Sequence, residues 1–449
     1  MIKLWFNRLI EKINQSLRVF YTKRLVKLYK EKVFIQNEKS YKEHIFEIEK
    51  EKLLTKLETQ KLSQDQELVE IKKFEDQKAE DILKIDQQIA HKIKKIDDKI
   101  AAYKLKHDAL SKRMDRHLEE DYKVLDQKID LEKEKLQSLK DEKASLLEAD
   151  SKDDKRLKAL DELIESKEEK IYQHHKSVDI LATRKRIEND QNIHLSLSHL
   201  TMKFGGLKAV DDLSFDVKKG EIFGLIGPNG AGKTTVFNCI TQFYKPNEGN
   251  IFYNNQNNET NSLIDFKVHD IINLGIVRTF QNVELVWELT VLDNLLVGAH
   301  SLYHAGFFSQ LLHLPKLNYE EKVIKNRALE ILKDLNLLAY KDMYPYGLPY
   351  GILKKIELAR TLMTKPNLII LDEPAAGLND SETQELAETI RNIRDRYKLT
   401  IFLVEHDMGL VMDICDTICA ISFGKKLAIG SPKEIQNNPK VQEAYLGGE

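Results

Sequence analysis

The distribution of glycine and proline divides this chain into two unlike parts. All 19 Gly and all 9 Pro lie at or after Gly205, so the first 204 residues contain neither. These two residue types are the main markers of turns. The first part is therefore predicted to be long helix, and the second part a turn-rich fold.

Apolar residues in the first part recur at alternating three- and four-residue steps, which is typical of a coiled coil. Residues 36–190 are assigned to it, and its apolar positions are Ile82, Ile85, Ile89, Ile93, Ile96, Ile100 and Tyr103, then Leu118, Tyr122, Leu125, Ile129, Leu136, Leu139 and Leu146. Residues 148–155 carry no large apolar side chain. They form either a turn between antiparallel helices, which we favour, or a weak patch in one long rod.

Residues 1–35 form a separate basic amphipathic segment, in which Trp5 and Phe6 stand among several Lys and Arg residues. A basic helix with such an apolar side is typical of a membrane interface. The alternative is that this helix packs on the rest of the chain or on a partner. The pattern alone does not separate the two interpretations.

Charge and cysteine content limit the class of protein. The 70 Lys and Arg nearly balance the 72 Asp and Glu, which argues against a nucleic-acid partner. The 3 cysteines have no metal-ligand or disulfide spacing, as in a reducing cytosol. No apolar run approaches the roughly 18 residues of a membrane span, and no signal peptide is recognisable. Any membrane-spanning partner is expected to be another chain.

A phosphate-binding loop follows the apolar, strand-like run 221–226. The pattern G-x-x-x-x-G-K-[ST] is complete, and an apolar helix follows it. Glycines let backbone N–H groups turn towards phosphates, and the helix N-terminus adds positive potential. Lys233 is predicted to reach the β- and γ-phosphates and Thr234 to ligate Mg²⁺. The predicted cradle comprises Gly227, Pro228, Asn229, Gly230, Ala231, Gly232, Lys233, Thr234 and Thr235.

Two acidic residues end a second apolar run. Residues 368–371 are Leu-Ile-Ile-Leu, and Asp372 and Glu373 follow directly. An acid at such a strand end holds Mg²⁺ in phosphate-loop ATPases, so Asp372 is assigned to the metal, either as a direct ligand or as a hydrogen-bond partner of the ligands around it. Glu373 is assigned to the general base that orients and deprotonates the attacking water.

The order of these motifs resembles the ATP-binding cassette (ABC) family over residues 195–449. The resemblance implies an α/β P-loop NTPase fold of the ABC type, with a mixed sheet core and a helical subdomain at about 283–365. A long all-α coiled-coil region would precede it. It also implies an ATPase that uses ATP and Mg²⁺.

The same resemblance implies roles for residues outside the two motifs. Phe204 stands where the family places an aromatic residue that stacks on adenine. Gln281 matches the Q-loop glutamine, which touches Mg²⁺ and the attacking water and couples to the membrane subunit. Residues 376–379 stand at the D-loop, and His406 matches the switch histidine that contacts the γ-phosphate. The predicted catalytic set is Glu373, His406, Gln281 and Lys233.

The family signature stands at residues 348–352 and departs from the usual L-S-G-G-Q form. Pro349, Tyr350 and Ile352 replace the serine, the first glycine and the glutamine, which leaves Gly351 and a helix N-terminus. Proline is well tolerated in a first helical turn, so backbone N–H donors can still face an anion. In the family this signature closes the nucleotide site of a second domain. Tyr350 and Gly351 are therefore predicted to contact the nucleotide of a partner ATPase.

Several segments are similar to the ATPase subunits of branched-chain amino-acid importers, of the LivG type. They include FGGLKAV, KTTVFNCIT, RTFQ, LDEPAAGLN and VEHDMGLVMDICD. The resemblance implies ATP-driven import at the cytoplasmic face of the cell membrane. Its implied partners are two transmembrane permease subunits, a second ATPase subunit (identical or not) and, indirectly, an extracellular solute-binding protein.

The resemblance does not cover residues 1–190, whose role stays open. The alternative function is a soluble, non-transport ABC ATPase with a mechanical or scaffolding coiled coil. In chromosome-maintenance ATPases the coiled coil lies between the phosphate loop and the acidic motif, whereas here it precedes both. The helical part is also a candidate oligomerisation or tethering module with its own coiled-coil partner. Deletion of residues 1–190 is expected to leave nucleotide binding intact.

Overall fold

The structure is a computed structural model that describes residues 16–29, 64–148, 154–279, 283–299 and 315–446, with seven isolated positions between residues 14 and 53. The chain divides into two compact units. One comprises residues 1–114 with 304–323, and the other residues 115–303 with 324–449.

In the first unit, residues 16–29 are helical and pack on helix α1, which spans Gln64–Glu148. Lys32 and Asp97 form an ion pair of 2.6 Å beside this contact. The buried side chains are Leu25, Leu28, Ile35, Ile89, Ile96 and Ile100. The described part of the basic segment therefore packs on the chain itself, while Trp5 and Phe6 lie outside the described residues.

The second half of α1 pairs with helix α2, which spans Asp154–Asn189. Glu132 pairs with Lys167 at 2.5 Å, whereas Glu142, ten residues further along α1, pairs with Arg156 at 2.8 Å. Later positions on α1 thus meet earlier positions on α2, so the helices run antiparallel. The favoured hairpin is confirmed. Residues 149–153 between the helices, and the side chains of Leu118 and Tyr122, lie outside the described residues.

Helix α2 leads directly into the strands of the second unit and packs on them. Ile187 is buried with Ile193 and Phe252. Asn254 Nδ2 donates to the carbonyl oxygens of Ile187 at 3.2 Å and Ile193 at 2.8 Å. The sequence did not predict this contact. It makes α2 part of the folded unit that carries the phosphate loop.

Ten strands form two sheets in the described residues. They are β1 (Ile193–Phe204), β2 (Leu207–Lys218), β3 (Ile222–Ile226), β4 (Glu248–Asn254), β5 (Thr260–Ser262), β6 (Ile276–Arg278), β7 (Leu368–Asp372), β8 (Thr400–Val404), β9 (Thr417–Ser422) and β10 (Lys425–Gly430). One sheet is antiparallel, in the order β2-β1-β4-β5. The other has the order β10-β9-β3-β8-β7-β6 and is parallel except for β10.

The remaining α-helices of the described residues lie between or after these strands in the chain. They are α3 (Lys233–Ile240), α4 (Val268–Ile271), α5 (Val291–Gly298), α6 (Pro315–Asp334), α7 (Tyr350–Leu362), α8 (Asp380–Tyr397), α9 (Met408–Ile414), α10 (Pro432–Gln436) and α11 (Pro439–Leu446). Within the described residues, no helix is both long enough and apolar enough to span a bilayer.

Strands β3, β7 and β8 are buried along their whole length. Continuous apolar runs of this kind are expected where helices cover both faces of a parallel sheet. Because the three strands are parallel neighbours in the order β3-β8-β7, their carboxyl ends meet at one edge. Gly227, Glu373 and Glu405 follow these ends, so the fold gathers the predicted motifs there.

Candidate nucleotide site

The phosphate loop owes its shape to glycines at crowded positions. Gly232 adopts φ +101°, and a Cβ there would lie 2.3 Å from the Ala209 carbonyl oxygen. A Cβ at Gly227 would lie 2.2 Å from the Ile421 carbonyl oxygen. Only glycine, which has no Cβ, tolerates a positive φ and a carbonyl oxygen at so short a distance. Helix α3 then begins at Lys233, so its free N–H groups face the loop.

Lys233 is buried and lies along the loop. Its Nζ donates to the carbonyl oxygens of Gly227 at 2.7 Å and Pro228 at 3.1 Å. Burial lowers the pKa of the Lys233 ammonium, while the carboxylates of Glu373 and Asp372 act to raise it. The bond to Gly227 holds the ammonium at the end of β3, at the same edge of the sheet as the end of β7, where Asp372 and Glu373 lie. The side chain of Thr234, next along α3, is exposed.

Asp372 ends β7 and belongs to a buried polar chain. Its Oδ2 accepts from Arg278 Nη2 at 2.6 Å, and Arg278 Nη1 donates to Asn238 Oδ1 at 2.6 Å. This series of hydrogen-bonded side chains joins β7, β6 and α3. Sequence reasoning missed Arg278 and Asn238 as site residues. The signal that was available for Arg278 was a charged residue at the end of an apolar strand.

Glu373 and His406 are brought together. Glu373 Oε1 and His406 Nε2 lie 2.7 Å apart. The backbone of Glu373 is left-handed, with φ +47°, which is uncommon for a residue with a side chain. Its N–H donates to the Val404 carbonyl at 2.8 Å. The loop after β7 is thus tied to the end of β8.

Glu405 is a further acidic residue that sequence reasoning missed. It is buried, and its carboxylate accepts from the backbone N–H groups of Ala375, His406 and Asp407. Burial raises the pKa of Glu405, and these three donors oppose that shift. The sequence signal was an acid directly after the fully apolar strand β8.

Phe204 ends β1 beside a second aromatic residue. Its ring lies edge-on to that of Tyr244, with 5.2 Å between centroids. Both rings are partly exposed, Phe204 by 42% and Tyr244 by 39%. The pair offers an accessible aromatic surface. Tyr244 was not predicted, because it lies in the turn after α3 and carries no motif.

The signature residues meet the segment that follows Glu373. Gly377, in the D-loop position, has φ +82°, and a Cβ there would lie 3.2 Å from Tyr350 Cε1. A Cβ at Gly351 would lie 3.1 Å from Glu382 Oε1 at the start of α8. Pro349 is the N-cap of α7, as the sequence predicted for a helix N-terminus. Gln281 lies outside the described residues.

Comparisons with known proteins agree with this geometry. The family described as ABC transporter matches residues 210–376, and the family described as branched-chain amino acid ATP-binding cassette transporter matches residues 425–449. The high-affinity branched-chain amino acid transport ATP-binding protein LivG of Salmonella typhimurium is 46% identical over 253 residues, which cover 56% of this chain and 97% of that protein.

A second relative and a solved structure match a similar share of this chain. The corresponding protein BraF of Pseudomonas aeruginosa is 42% identical over 56% of this chain and 97% of its own length. A crystal structure of an ATP-binding cassette of an ABC transporter, in its ADP conformation, aligns with a TM-score of 0.50 at 31% identity, covering 57% of this chain and 99% of that one. The glycine-rich loop and the two acids lie at one edge of the sheet, and the relatives match this chain over almost their whole length. This chain therefore belongs to the ABC transporter family, as an ATP-binding, ATP-hydrolysing subunit.

Proposed function

We propose that this protein energises the import of branched-chain or related amino acids. The observation that carries the proposal is the position of Lys233, Asp372 and the Glu373–His406 pair, which all lie at the carboxyl edge of the parallel sheet. The relatives named for branched-chain amino acid transport support the substrate class. Family members act with transmembrane permease subunits.

The triphosphate is held by the loop 227–235 and the N-terminus of α3. Backbone N–H groups there and the Lys233 ammonium neutralise the β- and γ-phosphate oxygens. Lys233 Nζ bonds the carbonyl oxygens of Gly227 and Pro228, which keeps its ammonium at the loop that would hold the phosphates. The exposed aromatic surface of Phe204 and Tyr244 is the place for the adenine ring.

The donor set fits Mg²⁺, a hard cation that takes one or two carboxylates along with hydroxyls, water and phosphate oxygens. Thr234 offers an exposed hydroxyl at the start of α3. Asp372 offers a carboxylate whose Oδ2 is fixed by Arg278. Gln281 completes the proposed set. The metal would offset the negative charge on the phosphates.

Hydrolysis uses Glu373 and His406 as a pair. Glu373 takes a proton from the attacking water while the water oxygen forms a bond to the γ-phosphorus. The bond between the γ-phosphorus and the β–γ bridging oxygen breaks, and ADP leaves with that oxygen. His406 Nε2, held 2.7 Å from Glu373 Oε1, orients that carboxylate and contacts the γ-phosphate. Accelerations from such positioned bases are about 10²–10⁴-fold.

The signature of α7 serves a second ATPase subunit, identical or not, whose nucleotide Tyr350 and Gly351 contact. Closure of the two subunits on MgATP drives the permease at the cytoplasmic face of the membrane, and a solute-binding protein delivers the amino acid. The chain is proposed to contain a basic segment at 1–35, a coiled coil at 36–190 and the cassette at 195–449, with its helical subdomain at about 283–365.

The test of the site is Glu373→Gln in the full chain. MgATP affinity should stay within about threefold, while turnover falls by about 10²-fold or more, the size expected for a lost general base. Glu388→Gln, an exposed acid on α8, is the matched control and should leave both unchanged. Hydrolysis at the unaltered rate in Glu373→Gln would remove Glu373 from the base role.

The test of the substrate class is uptake of leucine, isoleucine and valine by cells that carry either the unaltered chain or Lys233→Ala. Uptake should require the unaltered chain. Equal uptake of all three amino acids with Lys233→Ala would contradict the import proposal while leaving the ATPase site untouched.

A further inference from the structure

A buried carboxylate outside the proposed catalytic set joins the two loops that carry it. Glu405 is 3% exposed. Its Oε1 accepts from the Ala375 N–H at 2.6 Å, and its Oε2 accepts from the His406 N–H at 2.9 Å and the Asp407 N–H at 3.3 Å. One side chain therefore holds the main chain two residues after Glu373 and the main chain of His406 itself.

These hydrogen bonds lie next to a residue whose backbone conformation is unfavourable. Glu373 is left-handed at φ +47°, and such conformations persist only where the surrounding structure holds them. The bond from Glu373 N–H to the Val404 carbonyl, 2.8 Å long, is one tie between the loops. The bond from Ala375 to Glu405 is the second tie. Both ties join the loops whose side chains, Glu373 and His406, lie 2.7 Å apart.

The same buried region reaches the signature helix. Lys354 of α7 is 5% exposed. Burial lowers the pKa of its ammonium, and the nearby carboxylates of Glu357 and Glu405 act to raise it. The Lys354 ammonium lies 5.6 Å from the Tyr350 ring centre, and that ring packs on Gly377. The signature helix is thus held against the segment that follows Glu373.

We propose that Glu405 is a positioning residue for ATP hydrolysis, which fixes the Glu373–His406 pair by bonding the backbones of both loops. It acts through those residues, because its carboxylate is buried and already bonded by three N–H donors. The inference rests on the proposed roles of Glu373 and His406. The base role of Glu373 and the orienting role of His406 do not by themselves require Glu405.

The substitution Glu405→Gln removes a hydrogen-bond acceptor with almost no change in side-chain volume. The Gln side chain has nearly the same volume but replaces one acceptor oxygen with an NH₂ group, which only donates. That group would face either the Ala375 N–H or the N–H groups of His406 and Asp407. One loop is therefore released, and a displacement of about 1 Å can cost on the order of 10²-fold in rate.

The experiment measures MgATP affinity and turnover of the full chain in the assembled transporter. Glu405→Gln should keep the affinity within about threefold and lower kcat at least tenfold. Glu221→Gln is the matched control. Glu221 is also buried and accepts from Lys218 N–H and Thr417 Oγ1, but it precedes β3, at the opposite end of that strand from the phosphate loop. Its kcat should stay within twofold.

A double-mutant cycle tests whether Glu405 acts through His406. If it does, Glu405→Gln adds at most about twofold to the loss already caused by His406→Ala, because coupled sites are not additive. Fully additive losses, or a kcat of Glu405→Gln within twofold of the unaltered chain, would overturn the inference. If the unaltered chain neither binds nor hydrolyses ATP, the proposed function fails instead, so the two failures are distinguishable.

Discussion

Replacing Ile187 with alanine should destabilise the cassette, although this residue belongs to the helical part of the chain. Ile187 is 1% exposed and packs with Ile193 and Phe252. The substitution removes about three buried carbon groups, at about 0.8 kcal/mol each, or about 2.4 kcal/mol. A residual cavity adds to this, and measured Ile→Ala losses in cores are about 2–5 kcal/mol. We expect about 3 kcal/mol.

The assay is urea unfolding followed by the fluorescence of Trp287, in a background where Trp5, the other tryptophan, is Phe. Because Trp287 lies in the cassette, it reports whether α2 and the cassette unfold together. Leu163→Ala, a half-exposed site on the same helix, is the control and should change the free energy of unfolding by no more than about 0.5 kcal/mol.

Two results would refute this reasoning. The first is a Trp287 transition that Ile187→Ala leaves unchanged, which would mean that α2 contributes nothing to the cassette. The second is an equal shift from Leu163→Ala, which would mean that burial against the sheet is not the cause. The first result would agree with the expectation that residues 1–190 can be deleted without loss of nucleotide binding.

Two further predictions concern the site itself. Arg278→Met leaves the buried Asp372 without its partner and should lower the free energy of unfolding by about 3–5 kcal/mol. Arg391→Met, which breaks an exposed pair, should cost about 1 kcal/mol or less; equal losses in urea unfolding would show that burial of the Arg278 pair is unimportant. Gly232→Ala forces a Cβ against the Ala209 carbonyl at φ +101° and should weaken MgATP binding at least tenfold by calorimetry, with more than about 1 kcal/mol of stability lost. Gly206→Ala, which meets nothing within 4 Å, should bind as the unaltered chain does, and equal affinities of the two variants would contradict the crowding argument.

Much of the candidate site could be predicted because its chemistry is local in sequence. The phosphate loop needs glycine, lysine and threonine at fixed spacing, and parallel strands must end at a common edge. Glu373 and His406, 33 residues apart, were predicted from strand ends and from the family resemblance. Their 2.7 Å contact agrees with that grouping.

The parts that the sequence did not reveal depend on long-range packing. Arg278 reaches Asp372 across 94 positions, and Asn254 reaches Ile187 across 67. Neither pair has a spacing rule, because the fold alone brings them together. Glu405 looked like an ordinary polar residue after a strand, and only its burial and its three N–H donors distinguish it.

The same limit applies to the helical part. Periodicity predicted long helices, and the polar stretch before α2 indicated a reversal of chain direction. Periodicity does not state what an apolar stripe packs against. Ile89, Ile96 and Ile100 pack on Leu25 and Leu28 of the same chain, where a coiled-coil partner had been left open.

The most direct test of the account is the affinity of the purified full chain for MgATP, measured by titration calorimetry, with and without Lys233→Ala. The unaltered chain should bind, and the variant should bind at least tenfold more weakly, because it lacks the ammonium in the glycine-built loop. Lys245→Ala, at an exposed lysine outside the loop, should bind as the unaltered chain does. No binding by the unaltered chain, or equal binding by Lys233→Ala, would contradict the central claim.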